Sequence, residues 1–205
     1  IVPGDTLLSA DITDTTVYEI DAVRSILNAN MGHMFHLKGK AIEERYRKKT
    51  VLIDAIARDL DSLDYRQCVI SVERSPWTFA TYYPVTYDLM VLLGHYVGNG
   101  SKRSFVVSSE QTKVITCIQH ALQIVFPGMM YHTKQRNKTT IIECSSSIPG
   151  RVLDVVFGCR AADKSKQLPN IIFNVSADMK RAFLQGYFCD GNFRAVTNDG
   201  HYASV

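Results

Sequence analysis

LLGHYVGNG, from Leu92 to Gly100, and LQGYFCDGN, from Leu184 to Asn192, decide how this chain is read. Each stretch has Gly at its third place, an aromatic residue close by, and a Gly-flanked polar residue near its end. The third-place glycines are Gly94 and Gly186, 92 residues apart. Two copies of one pattern in similar contexts point to a duplicated unit folded about a pseudo-twofold axis. Glycine inside a helix costs about 1 kcal/mol relative to alanine. Close approach of a second helix would explain that cost at both positions.

Working outward, Thr86 is placed to cap a strongly apolar helix over 87–97, which ends at Gly98-Asn99-Gly100. Ser176 is placed likewise before a helix from Ala177 to about Phe188, preceded by Leu168-Pro169 and Ile171-Ile172-Phe173. Between the two, Ser101–Ser109 reads as a strand with Lys102 and Arg103 at its start. Glu110–Phe126 has the stripe Val114, Ile118, Leu122 and Val125 of an amphipathic helix. Met129–His132 and Thr139–Cys144 read as a hairpin, joined by a six-residue loop over 133–138 that holds Lys134, Arg136 and Lys138. Pro149–Phe157 predicts a short helix with Val152, Val155 and Val156 inward. After the second motif, Phe193–Val196 (with Arg194), the turn Asn198-Asp199-Gly200 and Tyr202–Val205 give a last hairpin signal.

The first 85 residues are less orderly. Ile1–Ile20 suggests short strands, and Asp21–Leu27 a short helix or an extended segment. Lys40–Leu63 has apolar residues near helical spacing and predicts a helix or helix pair with a basic shoulder at Arg45-Tyr46-Arg47-Lys48-Lys49. Such a shoulder is usually a solvated face; nucleic-acid contact is the other reading. Tyr65–Val85 predicts a strand and an extended lead-in to the first motif helix.

Composition bounds the rest. The 205 residues are 46% apolar and 21% charged, with 23 Lys plus Arg against 20 acids, an ordinary globular balance. A net charge of +3 does not by itself mark a nucleic-acid binder, because strong potentials come from local clustering. Five scattered cysteines without a C-x-x-C pair predict reduced thiols in an intracellular, soluble protein, nuclear or cytoplasmic. No apolar run is long enough for a membrane helix. His33 and His36 have no acidic or Cys partner nearby in sequence, and no phosphate-binding glycine loop or nucleophile elbow occurs.

From Tyr83 to Val205 the sequence resembles the LAGLIDADG (dodecapeptide) homing endonucleases, especially those carried by inteins. The resemblance rests on YPVTYDLMVLLGHYVGNG, on LPNIIFNVSADMKRAFLQGYFCDGN, and on their spacing. It implies an α/β (α+β) fold: a pseudo-symmetric saddle with two central motif helices packed at Gly94 and Gly186 and flanked by antiparallel sheets. Residues 86–205 would form that domain. Residues 1–85 carry no match to that family and form a mixed α/β segment of unassigned role, a remnant of a host or splicing domain or an accessory DNA-binding module being the readings open. The implied partner is double-stranded DNA, and the implied cofactor is Mg²⁺ at carboxylates ending the motif helices. The implied phosphate and base contacts are Lys102, Arg103, Lys134, Arg136, Lys138 and Arg194.

The sequence departs from the family pattern at the positions that matter for cleavage. The eighth place of the first motif is Asn99, a neutral ligand, and that of the second is Gly191, with Asp190 one place early. Asp190, Gly191 and Asn99 are therefore the metal candidates, with Asp190 and Asn99 the catalytic ones and impaired cleavage expected. The other reading is a non-catalytic DNA- or protein-binding module in which Asn99 and Asp190 only cap helices. The second half is expected to be incomplete, supplied by further residues or by another chain such as a host protein. The ends, Ile1 and Val205, lack the residues of intein splicing.

Overall fold

The computed structural model describes residues 16–73, 75–100, 105–159 and 167–189, with the backbone of 194–196 and 202–204. Within these residues the protein is a mixed α/β fold of seven helices and antiparallel sheets. No helix among them is long and apolar enough to cross a membrane.

The N-terminal part is a four-stranded antiparallel sheet with helices on one face. Strand β1 (Glu19–Asp21) leads into α1 (Ala22–Asn28), where Asp21 caps the helix by accepting from the Arg24 amide. Then follow β2 (Phe35–Lys38), α2 (Lys40–Tyr46), β3 (Thr50–Leu52), α3 (Ile53–Ile56), β4 (Val69–Val72), β5 (Thr78–Ala80) and β6 (Tyr82–Pro84). The sheet order is β3-β2-β4-β5, and β1 pairs separately with β6. Strand alternation decides the faces: Phe35, Leu37, Ile70 and Phe79 are buried with Val23, Ile26, Ile42, Ile53 and Ile56 of the helices.

The helix pair expected over 40–63 is present as α2 and α3, but a strand the sequence reading did not expect, β3, lies between them. Arg47 takes a left-handed conformation (φ 55°), which ends α2, and residues 50–52 then pair with His36–Lys38. Periodicity misses such a strand, because its partner lies a dozen residues upstream. The expected strand and lead-in over 65–85 is three short strands, and Asp21–Leu27 resolves as helix. The strands expected over 1–20 fall mostly outside the described residues.

From residue 87 onward the element order follows the sequence closely. Helix α4 (Tyr87–Asn99) starts at Thr86, whose hydroxyl accepts from the Leu89 amide at 3.2 Å. It is buried from Leu89 to Val97, which makes it the central helix of the fold. Strand β7 (Val106–Ser109), α5 (Thr112–Val125), the hairpin β8 (Tyr131–Arg136) and β9 (Thr139–Cys144), and α6 (Ile148–Val155) follow. Val152 and Val156 are buried as expected, and Val155 is half-buried. A 3₁₀ turn over 170–174 leads to α7 (Ala177–Phe188), capped by Ser176 accepting from the Met179 amide at 3.4 Å. The backbone of β10 (Arg194–Val196) pairs with β11 (Tyr202–Ser204), as the last hairpin signal predicts.

One detail differs. The β8–β9 loop is two residues, Asn137-Lys138, with Asn137 at φ 55°, instead of the six expected. Lys134 and Arg136 therefore stand on strand β8 and only Lys138 lies in the turn.

Both parts share one hydrophobic core. Tyr83 of β6 directs its ring against Phe126 and Phe157, with centroids 6.3 and 5.5 Å away. The Val17 amide donates to the Asn174 carbonyl at 2.7 Å.

Candidate functional site

Two features could carry function: the junction of α4 with α7, and the outer face of the β7-β9-β8 sheet.

At the junction, glycine is required by contact. A Cβ built on Gly94 would lie 2.1 Å from the Phe183 carbonyl oxygen and 2.7 Å from the Tyr187 amide nitrogen. One built on Gly186 would lie 2.2 Å from the Val91 carbonyl oxygen and 3.1 Å from the His95 amide nitrogen. The pattern is reciprocal: each glycine faces the carbonyl three places before its counterpart and the amide one place after it. That is the local signature of a twofold relation between the helices. Gly98 extends the contact toward the helix ends, with its Cβ position 2.8 Å from the Tyr187 carbonyl oxygen.

The C-terminal ends of α4 and α7 consequently lie close together, and both helix dipoles present their negative ends there. Such a place favours a cation. His95 lies just inside it at 1% exposure, and its Nδ1 is 2.8 Å from Cys189 Sγ. Burial holds the imidazole neutral, with its pKa pushed down to about 4. Farther from the ends, the Tyr87 hydroxyl donates to Gln185 Oε1 at 2.6 Å.

The two helices are not equally enclosed. Helix α4 is buried along most of its length, whereas α7 buries only Ala182, Phe183 and Gly186. Leu184, Tyr187 and Phe188 are exposed to solvent.

Of the expected metal and catalytic residues, Asn99 is the last residue of α4, half-buried. Asp190 and Gly191 lie outside the described residues. Among the described residues no three His, Cys, Asp or Glu side chains converge on a metal-sized position. His33 stands 4.0 Å from Asp54 and is exposed, with no third ligand beside it among the described residues.

On the sheet, strand order β7-β9-β8 puts Val107, Ser109, Ile142 and Cys144 on the face toward the core. The opposite face carries His132, Lys134 and Arg136 from β8 and Ile141 and Glu143 from β9. Lys134 Nζ and His132 Nε2 lie 2.8 and 3.2 Å from the same Glu143 oxygen, and Lys134 holds that carboxyl below its ordinary range. Sequence reasoning missed His132 and Glu143; the alternation along a longer β8 would have found them. Lys102 and Arg103 lie outside the described residues, as does the side chain of Arg194. All five cysteines are free thiols.

Comparison with known proteins gives no family: no family model matches the chain, and no curated protein matches it.

Proposed function

We propose that this chain is a duplex-DNA-binding protein of the LAGLIDADG homing-endonuclease type, with strand cleavage weakened at Asn99. The observation that carries the proposal is the reciprocal packing of Gly94 and Gly186. It brings two motif helices together along a pseudo-twofold axis and sets their C-terminal ends side by side. A duplex has nearly symmetric strands, so a paired site is the arrangement that would address both scissile phosphates. The saddle would place the outer face of β7-β9-β8 along the DNA, where Lys134, Arg136 and Lys138 contact phosphates and His132 and Arg136 reach base edges.

Cleavage of this kind depends on a divalent ion such as Mg²⁺, which supplies charge neutralisation at the phosphate. Asp190 is the candidate carboxylate ligand, Asn99 its neutral counterpart, and Gly191 offers only backbone. Hard cations prefer charged oxygen ligands, so Asn99 lowers the site's affinity. Protein side chains do the remaining work: the sheet positions the duplex, and the neutral His95 bonded to Cys189 fixes the end of α7 next to Asp190.

The test combines binding and cutting. Asn99→Asp is expected to raise Mg²⁺-dependent cleavage of a plasmid library while leaving affinity for duplex DNA within a few-fold. Asp190→Ala should abolish cutting without loss of binding. DNA binding that survives with no cutting by any variant at any Mg²⁺ concentration would instead favour a non-catalytic module on the same fold. Absence of duplex binding would refute both.

A further inference from the structure

Resting on the DNA-binding function just proposed, we infer that the N-terminal sheet carries a second, sequence-independent phosphate-contact surface for duplex DNA. It is built from Lys38, Arg47, Lys48 and Lys49. The charge distribution is the first support. Residues 38–49 hold six cations (Lys38, Lys40, Arg45, Arg47, Lys48, Lys49) against two acids, Glu43 and Glu44, a local net of +4. The whole chain is +3, so all other residues together sum to −1. The positive balance of the protein is concentrated in this one segment, which is where a steering potential originates.

Four of its six cations are also free to act. Lys40 pairs with Glu44 at 3.6 Å and Arg45 with Asp59 at 3.7 Å. Lys38, Arg47, Lys48 and Lys49 are exposed and form no ion pair with a described residue. Strand register gathers them: Lys38 stands opposite Thr50, and Lys49 immediately precedes Thr50. The four therefore share one end of the β2–β3 ladder. Arg47 occupies that place in a left-handed conformation that favours glycine or asparagine, so a glycine there would remove the charge without straining the backbone.

The surroundings select the ligand. The outer face of this sheet presents His36, Lys38, Thr50, Leu52, Val69, Ser71, Thr78 and Ala80, from register and alternation. Among these residues the only ring is the His36 imidazole, so the face lacks the run of aromatic side chains on which successive unpaired bases stack. It has no exposed apolar belt of the kind a lipid surface needs. Val69, Thr78 and Ala80 at its edge line a groove of about 280 Å³ with Val125, Pro127 and Met129. Met129 lies two places before β8, so this groove stands between the N-terminal sheet and the start of the strand proposed to hold DNA. A duplex running past β8 would meet the basic end of β2–β3 through its phosphates.

The test measures affinity of the full chain for a labelled random-sequence duplex over a series of NaCl concentrations. Each lost phosphate contact lowers the slope of log K against log salt by about 0.9, so R47A/K48A/K49A is expected to flatten it by about 2.7. Arg47→Gly should flatten it by about 0.9 while keeping or raising the melting temperature, which separates charge from fold. K134A/R136A probes the other surface independently. An unchanged slope in the triple variant, with K134A/R136A still flattening it, would overturn this surface and leave the proposed function standing. No duplex binding by the unsubstituted chain would overturn both.

Discussion

Gly94 and Gly186 each occupy the space between a carbonyl and an amide of the other's helix, in matching positions on the two chains of contact. The three heavy atoms nearest a Cβ built on either glycine are all backbone atoms of the other helix. A methyl added to either glycine meets backbone, which cannot rotate away as a flexible side chain can.

Gly94→Ala and Gly186→Ala are each expected to destabilise by about 3 kcal/mol or more, despite the better helix propensity of alanine. Thermal melting should show a fall of roughly 6–12 °C at this chain length. Gly98→Ala, whose Cβ position is 2.8 Å from its nearest atom, should cost less. Equal, negligible shifts for all three would refute the close crossing.

The neutral, buried His95 makes stability depend on acid. Its folded pKa, about 4, lies below the unfolded value near 6.5. The unfolded chain therefore binds a proton that the folded chain refuses. Stability is fully present above about pH 6.5 and is lost as pH falls toward 4, by at most about 3 kcal/mol. Urea unfolding between these pH values should show the loss, and His95→Gln should flatten it.

Glu143 neutralises part of the proposed DNA face by pairing with Lys134 and His132. Glu143→Gln releases both and removes one negative charge. Affinity for duplex DNA should rise several-fold, with a steeper salt dependence. A decrease would show that Glu143 holds the cations in their binding geometry.

The Tyr83 hydroxyl is buried with the Ala80 backbone beside it but in no well-formed hydrogen bond among the described residues, and burial raises its pKa. Its ring does the packing, against Phe126 and Phe157. Tyr83→Phe should leave stability unchanged or raise it by about 1–2 kcal/mol, since an unsatisfied buried hydroxyl is lost. Tyr83→Ala should cost about 3–5 kcal/mol. A clear destabilisation by the phenylalanine variant would reveal a partner for the hydroxyl.

Local signals dominate from Thr86 to Phe188. Capping by Thr86 and Ser176, the stripe of α5 and the apolar run of α4 are all short-range, so the sequence alone determined those elements and their order. It also singled out Gly94 and Gly186, because glycine in an apolar helix needs a reason. Tertiary structure decided what depends on distant pairing. Strand β3 exists because residues 50–52 hydrogen-bond to His36–Lys38, which outweighs the helical spacing around it. A tight turn at Asn137 lengthened β8 and moved Lys134 and Arg136 from a loop onto a sheet face beside Glu143. The motif spelling named Asn99 and Asp190, but the place where their helices end together is set by the crossing. There, two glycines let backbones touch, and no one-dimensional pattern records the angle at which they do so.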